Sequence, residues 1–599
     1  MLCVGNARKY ELLPAYAGVI ARQAQLTTIE KEVPMPSFDL RCDPWIPVTC
    51  IDGSYEELSL RELIERAPEL RNIGGDLPQQ ALPILRLLIA ILRRTFGDPD
   101  LNHAKLKRWW IKTWNQGSFD ADRVNSYLDR FSSEFNLFGD HPFYQVPDLE
   151  YAASKDGGFN PISELLADVP KPDKFLFSMR GKAAPDEISF AEAARWLIFS
   201  QAYDSAGIKT PVVGNTHVNK GKVYPPKGIP STGWLGCIGG VYLEGENLFQ
   251  TLLWNLVLYE EGPRGGSCLF GDQDDLAPWE RAVPSPDYRV AIPTGPVDLE
   301  TRQSRRMRLV CNEDGTRVVG VICCYGDVMH PVDALKSELM TSWRESKAQQ
   351  KKLQTAHVPL MPSPHEGGKA IWRGLAPLIS VNIDGGVDLR PGVIRWMEMM
   401  KSGVEGVGTF PKRLSIHAQG MEYGTQSSVF TNGFDDSLLM GTALLRHDSP
   451  AVIQAVALVG NVERAVFELV KLAQEIEKIG GDKRAGAALS LTSDDVREHA
   501  YEELDVLFRE YLAGFIDGVD PFVYTNEWAL KMRTRLLMSG KRLVASAETP
   551  LFVTHDPGKK PRYLSEAEFW FRRDVMQILS CEDEGKPEVG GSNEQSAGI

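Results

Sequence analysis

Apolar residues along this chain change their spacing after Ser449, and that change separates two kinds of structure. From Phe38 to about Leu378, short runs of strand period and helix period alternate. Trp45-Ile46-Pro47-Val48 reads as a short strand and Leu58 to Glu65 as a short helix. Residues 78–96, 119–136 and 185–204 carry apolar positions three and four apart and predict longer helices. Strand-like runs follow at 289–293, 307–311 and 317–325. Leu414 to Phe430 has the form of a hairpin. Leu414-Ser415-Ile416-His417-Ala418-Gln419 is extended, turn residues gather at Gly424-Thr425, and Ser428-Val429-Phe430 returns.

Beyond Ser449 the pattern is helical only. Ser449-Pro450 offers an N-cap and a first-turn proline, and a helix runs to Gly480 with Val462, Val466, Leu469 and Ile476 on one stripe. A second helix starts near Thr492, with Asp495 three residues on, and buries Val496, Leu504, Leu507 and Tyr511. A third spans about 526–546, with Trp528, Leu536 and Leu537 inside. The fourth opens on a capping box, Ser565 and Glu568, and buries Phe569, Val575, Ile578 and Leu579. Four such helices with short to moderate loops predict a four-helix bundle. The expected fold class is therefore α+β. A disordered extension at 1–37 precedes a large mixed domain at 38–440, a four-helix bundle at 441–581 and a disordered tail at 582–599. Residues 1–34 hold scattered charges and no compact apolar core, so they form no secretory signal, and Met35 is an alternative start.

Length and composition narrow the class. The 599 residues exceed one ordinary core, and 24% charged with 43% hydrophobic residues fits a soluble globular protein. Nine cysteines without a C-x-x-C pair read as free thiols of a reducing cytoplasm, with no disulfide framework and no zinc site. The most apolar run, Ala81 to Phe96, is interrupted by Arg86 and is shorter than the ~18 residues a membrane span needs. A net charge of −14 argues against a protein that coats nucleic acid by itself. Local runs say more. From Ser205 through Leu243 there is no Asp or Glu, while Lys209, Lys220, Lys222 and Lys227 all lie there. Arg302, Arg305, Arg306 and Arg308 form a second basic run, and Arg344, Lys347, Lys351 and Lys352 a third. Solvated loop charge would explain any one of them; three in an acidic chain point to a phosphate-binding face.

Catalytic patterns are missing: there is no H-E-x-x-H, no G-x-x-x-x-G-K-[ST] and no G-x-S-x-G. Gly403, Gly406 and Gly408 imitate a glycine fingerprint without its strand-turn-helix context. His141, in an aromatic-rich turn, could act as a base but has no nucleophile beside it and reads as a structural hydrogen-bonding group, and Asp272, Asp274 and Asp275 cluster in an ordinary loop. Adjacent Cys323 and Cys324 on a strand point to opposite faces and cannot share a metal. Trp109, Trp110 and Trp114 alternate with cations between Lys105 and Trp114; they could stack on nucleotides, but their helical spacing favours core packing. No assembled active site, cofactor or metal is expected.

Taken in order, Asp43-Pro44-Trp45-Ile46-Pro47-Val48, Asp140-His141-Pro142-Phe143-Tyr144-Gln145, Pro161-Ile162-Ser163-Glu164-Leu165-Leu166 and Trp372-Arg373-Gly374-Leu375 resemble the CasA family, the large subunit of type I-E CRISPR Cascade complexes. The resemblance covers roughly residues 38–580. It implies a non-catalytic cytoplasmic protein, with no membrane contact, that works beside a guide RNA and other Cascade subunits. It also implies reading of the motif adjacent to a double-stranded DNA target, the start of duplex opening and help in recruiting a helicase–nuclease. Sequence reading itself is then left to RNA–DNA pairing. By the same resemblance, Phe199-Ser200-Gln201-Ala202 leads into a motif-reading loop at Gly207, Ile208, Lys209 and Thr210, in which only Gly207 retains the family's glycine. Gln426 corresponds to a wedge at a hairpin tip, and a guide-end loop begins near Phe177. For the family's minor-groove lysine, Arg305, Arg306 and Lys347 are all candidates, and Lys220, Lys222 and Lys227 join them as phosphate contacts. The competing readings are a scaffold that binds only RNA and subunits, and a divergent nuclease using Asp272, Asp274 or His141.

Overall fold

Ile46–Cys50 (β1) buries Ile46, Val48 and Cys50 and pairs antiparallel with Tyr55–Leu58 (β2) on one side and Leu70–Ile73 (β3) on the other. This computed structural model describes residues 36–580 apart from 98–101, 154–157, 170–184, 263–264, 270–272, 333, 381–387, 405–409, 481–491, 548–552 and 555–561. The expected extension and tail, except residues 36 and 37, thus lie outside the described residues, as does Phe177. Between β2 and β3, Leu60–Arg66 (α1) starts on a capping box made by Ser59 and Glu62.

Ala81–Phe96 (α2) is buried on nearly every side, which explains its continuous apolar run. Its two buried arginines are paired, as buried charges must be. Arg86 makes a bidentate contact to Glu338 at 2.9 and 3.0 Å, and Arg93 meets Glu300 at 3.2 Å. Around α2 pack His103–Gln116 (α3), Ala121–Arg130 (α4), Phe190–Tyr203 (α5) and Leu248–Asn255 (α6). The tryptophans of α3 serve packing: Trp110 stacks on Trp114 at 5.7 Å, and Trp114 on Trp254 of α6 at 6.0 Å.

Two further three-stranded sheets build the mixed part, beside smaller two-stranded ribbons. In one, Gly240–Glu244 (β4) and Phe430–Gly441 (β8) flank Arg413–Tyr423 (β7), all antiparallel. In the other, Arg305–Cys311 (β5) pairs with Val318–Tyr325 (β6). The β7–β8 hairpin runs well past Phe430, because Leu438 and Met440 alternate inward along a segment otherwise rich in Asn, Gly and Asp. Short Lys347–Leu353 (α7) and Gly392–Val404 (α8) lie between these sheets in sequence; Gly403 is in the last turn of α8, and Gly406 and Gly408 are outside the described residues.

Pro450–Gly480 (α9) packs against Ser493–Ala513 (α10), Pro521–Ser546 (α11) and Leu564–Ile578 (α12). Helix α10 starts where expected, after Thr492, and Thr492 and Asp495 form a capping box there. Helix α11 starts five residues before the expected point because Asp520 caps it and Pro521 occupies its first turn. For α12 the expectation needs correction. The helix begins at Leu564 without a side-chain cap, so Ser565 is already inside it. That phase turns Phe571, Val575 and Leu579 inward and leaves Phe569 59% exposed. The helices share the core of the mixed part. Trp372 stacks on Phe508 of α10 at 4.0 Å and donates to Asp505 at 2.8 Å, while Arg509 reaches Asp436 on β8 at 2.9 Å. Among the described residues no helix is long and apolar enough to cross a membrane.

Candidate nucleic-acid interface

Helix α5 ends in Phe199-Ser200-Gln201-Ala202, and Gln201 fixes where the chain leaves it. Its buried amide accepts from the Arg305 N–H at 2.8 Å and donates to the carbonyls of Arg305 and Tyr144 at 3.1 and 3.3 Å. The end of α5 is thereby stapled to the start of β5 and to the His141–Gln145 turn. Beyond it, Asp204 and Ser205 wrap around the Arg305 side chain.

Arg305 is wholly buried. Its guanidinium donates to the Asp204 carboxylate and to the carbonyls of Asp204, Ser205, Ser231 and Ser304. Arg306 is equally buried, donating to Asp327 at 2.5 Å and to the Ser285 carbonyl at 2.8 Å. Neither arginine is available to a phosphate or a groove, so both leave the list of expected nucleic-acid contacts. Arg302 is likewise buried, and Arg308 donates to the Leu149 carbonyl at 3.0 Å. The second basic run is therefore internal wiring: β5 is buried, and each arginine meets an acid or carbonyls contributed from elsewhere in the chain. Burial works against the charge on Asp204, but Lys209 and Arg305 outweigh it and hold the carboxyl well below the usual carboxylate range. Lys209, 2.7 Å from Asp204, is held above its ordinary value by that carboxylate despite burial.

The segment after Asp204 is pinned at four points yet open on its outer side. Ala206 N–H donates to the Ser427 carbonyl at 2.8 Å. The Tyr325 hydroxyl donates to the Gly207 carbonyl at 2.5 Å and accepts from the Gly207 N–H at 3.2 Å. Lys209 and Val223 exchange backbone bonds of 3.0 Å in both directions, and the Lys209 ammonium is tied to Asp204. Ile208 is 54% exposed between these ties. Val223 ends a small ribbon, Val218–Asn219 with Lys222–Val223, whose turn carries Lys220 (φ 50°) and Gly221 (φ 71°). Loop and ribbon line an open cleft of about 740 Å³ that includes Ile208, Lys209, Thr210, Val213 and Lys222. Lys220, Lys222 and Lys227 are exposed. Lys347 opens α7 and is exposed with Lys351 and Lys352, and Lys352 Nζ lies 4.0 Å from where a Cβ on Gly228 would stand. The first and third basic runs are thus neighbours.

Gln426 stands at the tip between β7 and β8, exposed, at φ 58° and ψ 21°, and Ser427 follows at φ 53°. Two consecutive non-glycine residues in the left-handed region are costly, about 1 kcal/mol or more each. Ser427 N–H to the Gly424 carbonyl (2.9 Å) and Ser428 Oγ to the Thr425 carbonyl (2.9 Å) hold the turn. At its base, the Tyr423 hydroxyl donates to the Tyr203 carbonyl at 2.6 Å, and Phe430 packs on Tyr423 and Phe199. The expected loop and the expected wedge, about 220 residues apart in sequence, are therefore hydrogen-bonded neighbours.

Among the described residues, those of the competing nuclease reading form no metal-holding group. Asp275 accepts from the N–H groups of Val297 and Asp298, both at 2.9 Å, and caps a short helical turn. Asp274 lies exposed beside it, Asp272 is outside the described residues, and His141 sits exposed in its turn. Cys323 and Cys324 occupy successive positions of β6, and among the described residues no group of three His, Cys, Asp or Glu could hold a metal. Asp204 and Tyr325 escaped the sequence reading. The lone acid before a 39-residue stretch free of acids was the only available signal for Asp204, and nothing in the sequence marks Tyr325.

The family model for CRISPR-associated protein Cse1 matches residues 39–538. The chain belongs to the Cse1 family. The crystal structure of Thermobifida fusca Cse1 is 32% identical and superposes with a TM-score of 0.78, over 91% of this chain and 98% of that one. A CasA/Cse1 protein of Thermus thermophilus is 29% identical over 316 residues, 52% of this chain and 55% of the relative, so the chain spans about half the length of that curated relative. A chain from a CRISPR RNA-guided surveillance complex shares the fold, with a TM-score of 0.58 at 18% identity over 90% of this chain and all of that one.

Proposed function

We propose that this Cse1-family protein is the large subunit of a CRISPR RNA-guided surveillance complex, where it reads the motif beside a DNA target and starts strand separation without performing chemistry. The observation that carries this reading is the hydrogen bond between Ala206 and Ser427, which sets the motif loop against the glutamine-bearing tip. A duplex held at the loop would present its first base step to Gln426. Lys222 of the ribbon lines the open cleft and Lys352 of α7 lies beside Gly228, and these exposed lysines would hold the backbone through charge. Gly207 supports a close approach from outside: a Cβ built on it meets nothing within 4 Å, so the fold itself does not require glycine there. Unstacking one base step costs on the order of a few kcal/mol, and an amide that bonds to the exposed edges offsets part of it. Guide RNA and sibling subunits would supply the pairing strand. A helicase–nuclease recruited afterwards would cut, and the bundle α9–α12 would act as a docking domain.

Gln426→Ala tests the reading in the assembled complex. It should slow opening of a fully paired target while leaving binding to a target already mismatched beside the motif unchanged. Equal defects on both substrates would mean lost affinity rather than a lost wedge. Normal opening of the paired target, with RNA and subunits still bound, would favour the scaffold reading.

A further inference from the structure

We infer that Tyr325 is the positioning residue of the motif loop, setting the height of Gly207 and, through Ala206, its spacing from the Gln426 tip. The inference rests on the reading of 207–210 as a duplex-facing loop. Its own basis is the contact set beneath that loop. Tyr325 ends β6 and is fully buried. Its hydroxyl engages both backbone polar groups of Gly207, donating to the carbonyl and accepting from the N–H. A residue whose N–H and C=O are both satisfied by one phenol cannot tilt without losing two bonds at once. The phenol is itself held: the Arg305 guanidinium lies 5.1 Å from the ring centroid, and Tyr288 packs edge-on at 6.5 Å. Arg305 in turn fixes Asp204 and Ser205, the residues that lead into the loop.

The chain of support runs from the buried strand pair β5–β6 outward to a glycine that has open space above it. Gly207 has no side chain with which to anchor itself, so its position depends on what grips its backbone. Any ligand that approaches Gly207 closely meets a peptide whose orientation Tyr325 has chosen. Because Ala206, one residue earlier, donates to Ser427, a shift of Gly207 also moves the reference point for the tip. Tyr325 would therefore bear on discrimination between motifs more than on overall DNA affinity, since it carries no charge and touches no phosphate.

The test is Tyr325→Phe in the full chain, assembled with guide RNA and the sibling subunits. The ring is kept, so the contact to Arg305 persists and only the hydroxyl is lost. Three quantities are measured: the ratio of affinities for duplexes with the matching and a changed motif, the salt dependence of binding, and amide hydrogen exchange of the segment containing residues 206–210. The expected result is a selectivity ratio reduced about fivefold, the equivalent of one net hydrogen bond. The salt slope should not change, and exchange at the loop should quicken while exchange in β5 and β6 does not. A selectivity ratio that stays at the wild-type value overturns the inference, as does loop exchange that is unaltered. General acceleration of exchange across β5 and β6 also overturns it, because Tyr325 would then hold the strand pair and not the loop. Wild-type protein that binds all flanking sequences alike would instead overturn the motif-reading proposal, and that outcome is read before the variant is made.

Discussion

Replacing Arg305 by methionine separates a buried support from a phosphate contact. Methionine keeps much of the side chain's length and removes its charge and donors. In the folded protein the guanidinium is wholly buried and serves the Asp204 carboxylate and four carbonyls, those of Ser304, Asp204, Ser205 and Ser231. Breaking a buried pair from one side costs about 3–5 kcal/mol, because the remaining charge and acceptors stay desolvated. Here Lys209 still faces Asp204 at 2.7 Å, which places the expected loss near the lower end, about 3 kcal/mol. Asp204 has a depressed folded pKa, so its pairing contributes fully above the unfolded carboxylate value of about 4 and is lost only as pH falls through the lower folded value. The wild-type minus variant difference should thus be flat from pH 5 to pH 8. Urea unfolding followed by intrinsic fluorescence, with limited proteolysis across 204–231, would report the loss. A variant with wild-type stability whose duplex binding shows a salt slope lowered by about one would refute the reasoning. Arg305 would then reach a phosphate after all.

Replacing Lys220, Lys222 and Lys227 together with glutamine should leave stability unchanged and flatten the salt slope of duplex binding by up to about 3, equally for all sequences; titrations at several salt concentrations decide it. His417 bridges Glu244 at 3.0 Å and Asp435 at 2.5 Å; although burial works against its charge, the two carboxylates raise its pKa to about 9. Its contribution, about 2–3 kcal/mol, is full below the unfolded value near 6.5 and is lost as pH rises through 9, so His417→Gln should destabilise strongly at pH 6 and little at pH 10 in urea melts. Gly207→Ala should hold or gain up to about 1 kcal/mol of stability while motif-dependent binding falls. Gly233→Ala, where a Cβ would sit 2.3 Å from the Ala202 carbonyl, should cost about 1–3 kcal/mol and serve as the structural contrast in the same thermal melts.

What the sequence disclosed follows the reach of each signal. Periodicity sufficed for α9 through α11 and for the strand at Ile46, because an amphipathic face is a local property. It erred in part on α12, where Phe571, two positions on, is the buried aromatic in place of Phe569, while Val575 and Leu579 are buried as expected. The β8 strand was cut short because its buried positions are spaced among Asn, Gly and Asp. Charge runs misled most. Arg305 and Arg306 look like any basic cluster until Asp204 and Asp327 are placed beside them, and those partners come from 101 and 21 residues away. The lysines around 220 differ because the acid-free stretch holds no local partner for them. Even the acid-free run is not uniform: Lys209, near its edge, pairs with Asp204 as the buried arginines pair with theirs, while Lys220, Lys222 and Lys227 are exposed.

The same distinction bears on the tip. A turn that needs two successive left-handed residues is ordinarily supplied with glycine or asparagine, which reach that region at little cost. This hairpin has a glycine at position 424, two residues before the demand, and glutamine and serine where the demand falls. Among the described residues Gln426 makes no hydrogen bond that offsets its conformation: it is exposed, and the bonds that hold the turn are made by its neighbours. Gly207 is the converse case. It carries the least constrained residue at a place where neither φ nor crowding asks for it. A side chain kept at a position that disfavours it and a side chain absent where one would fit are both departures from what folding alone selects. The Ala206–Ser427 hydrogen bond brings the two departures together. Local exceptions to folding rules that converge in space are what a binding surface would leave, and they fall on the two residues that the proposed function assigns to reading a duplex, Gly207, and opening it, Gln426.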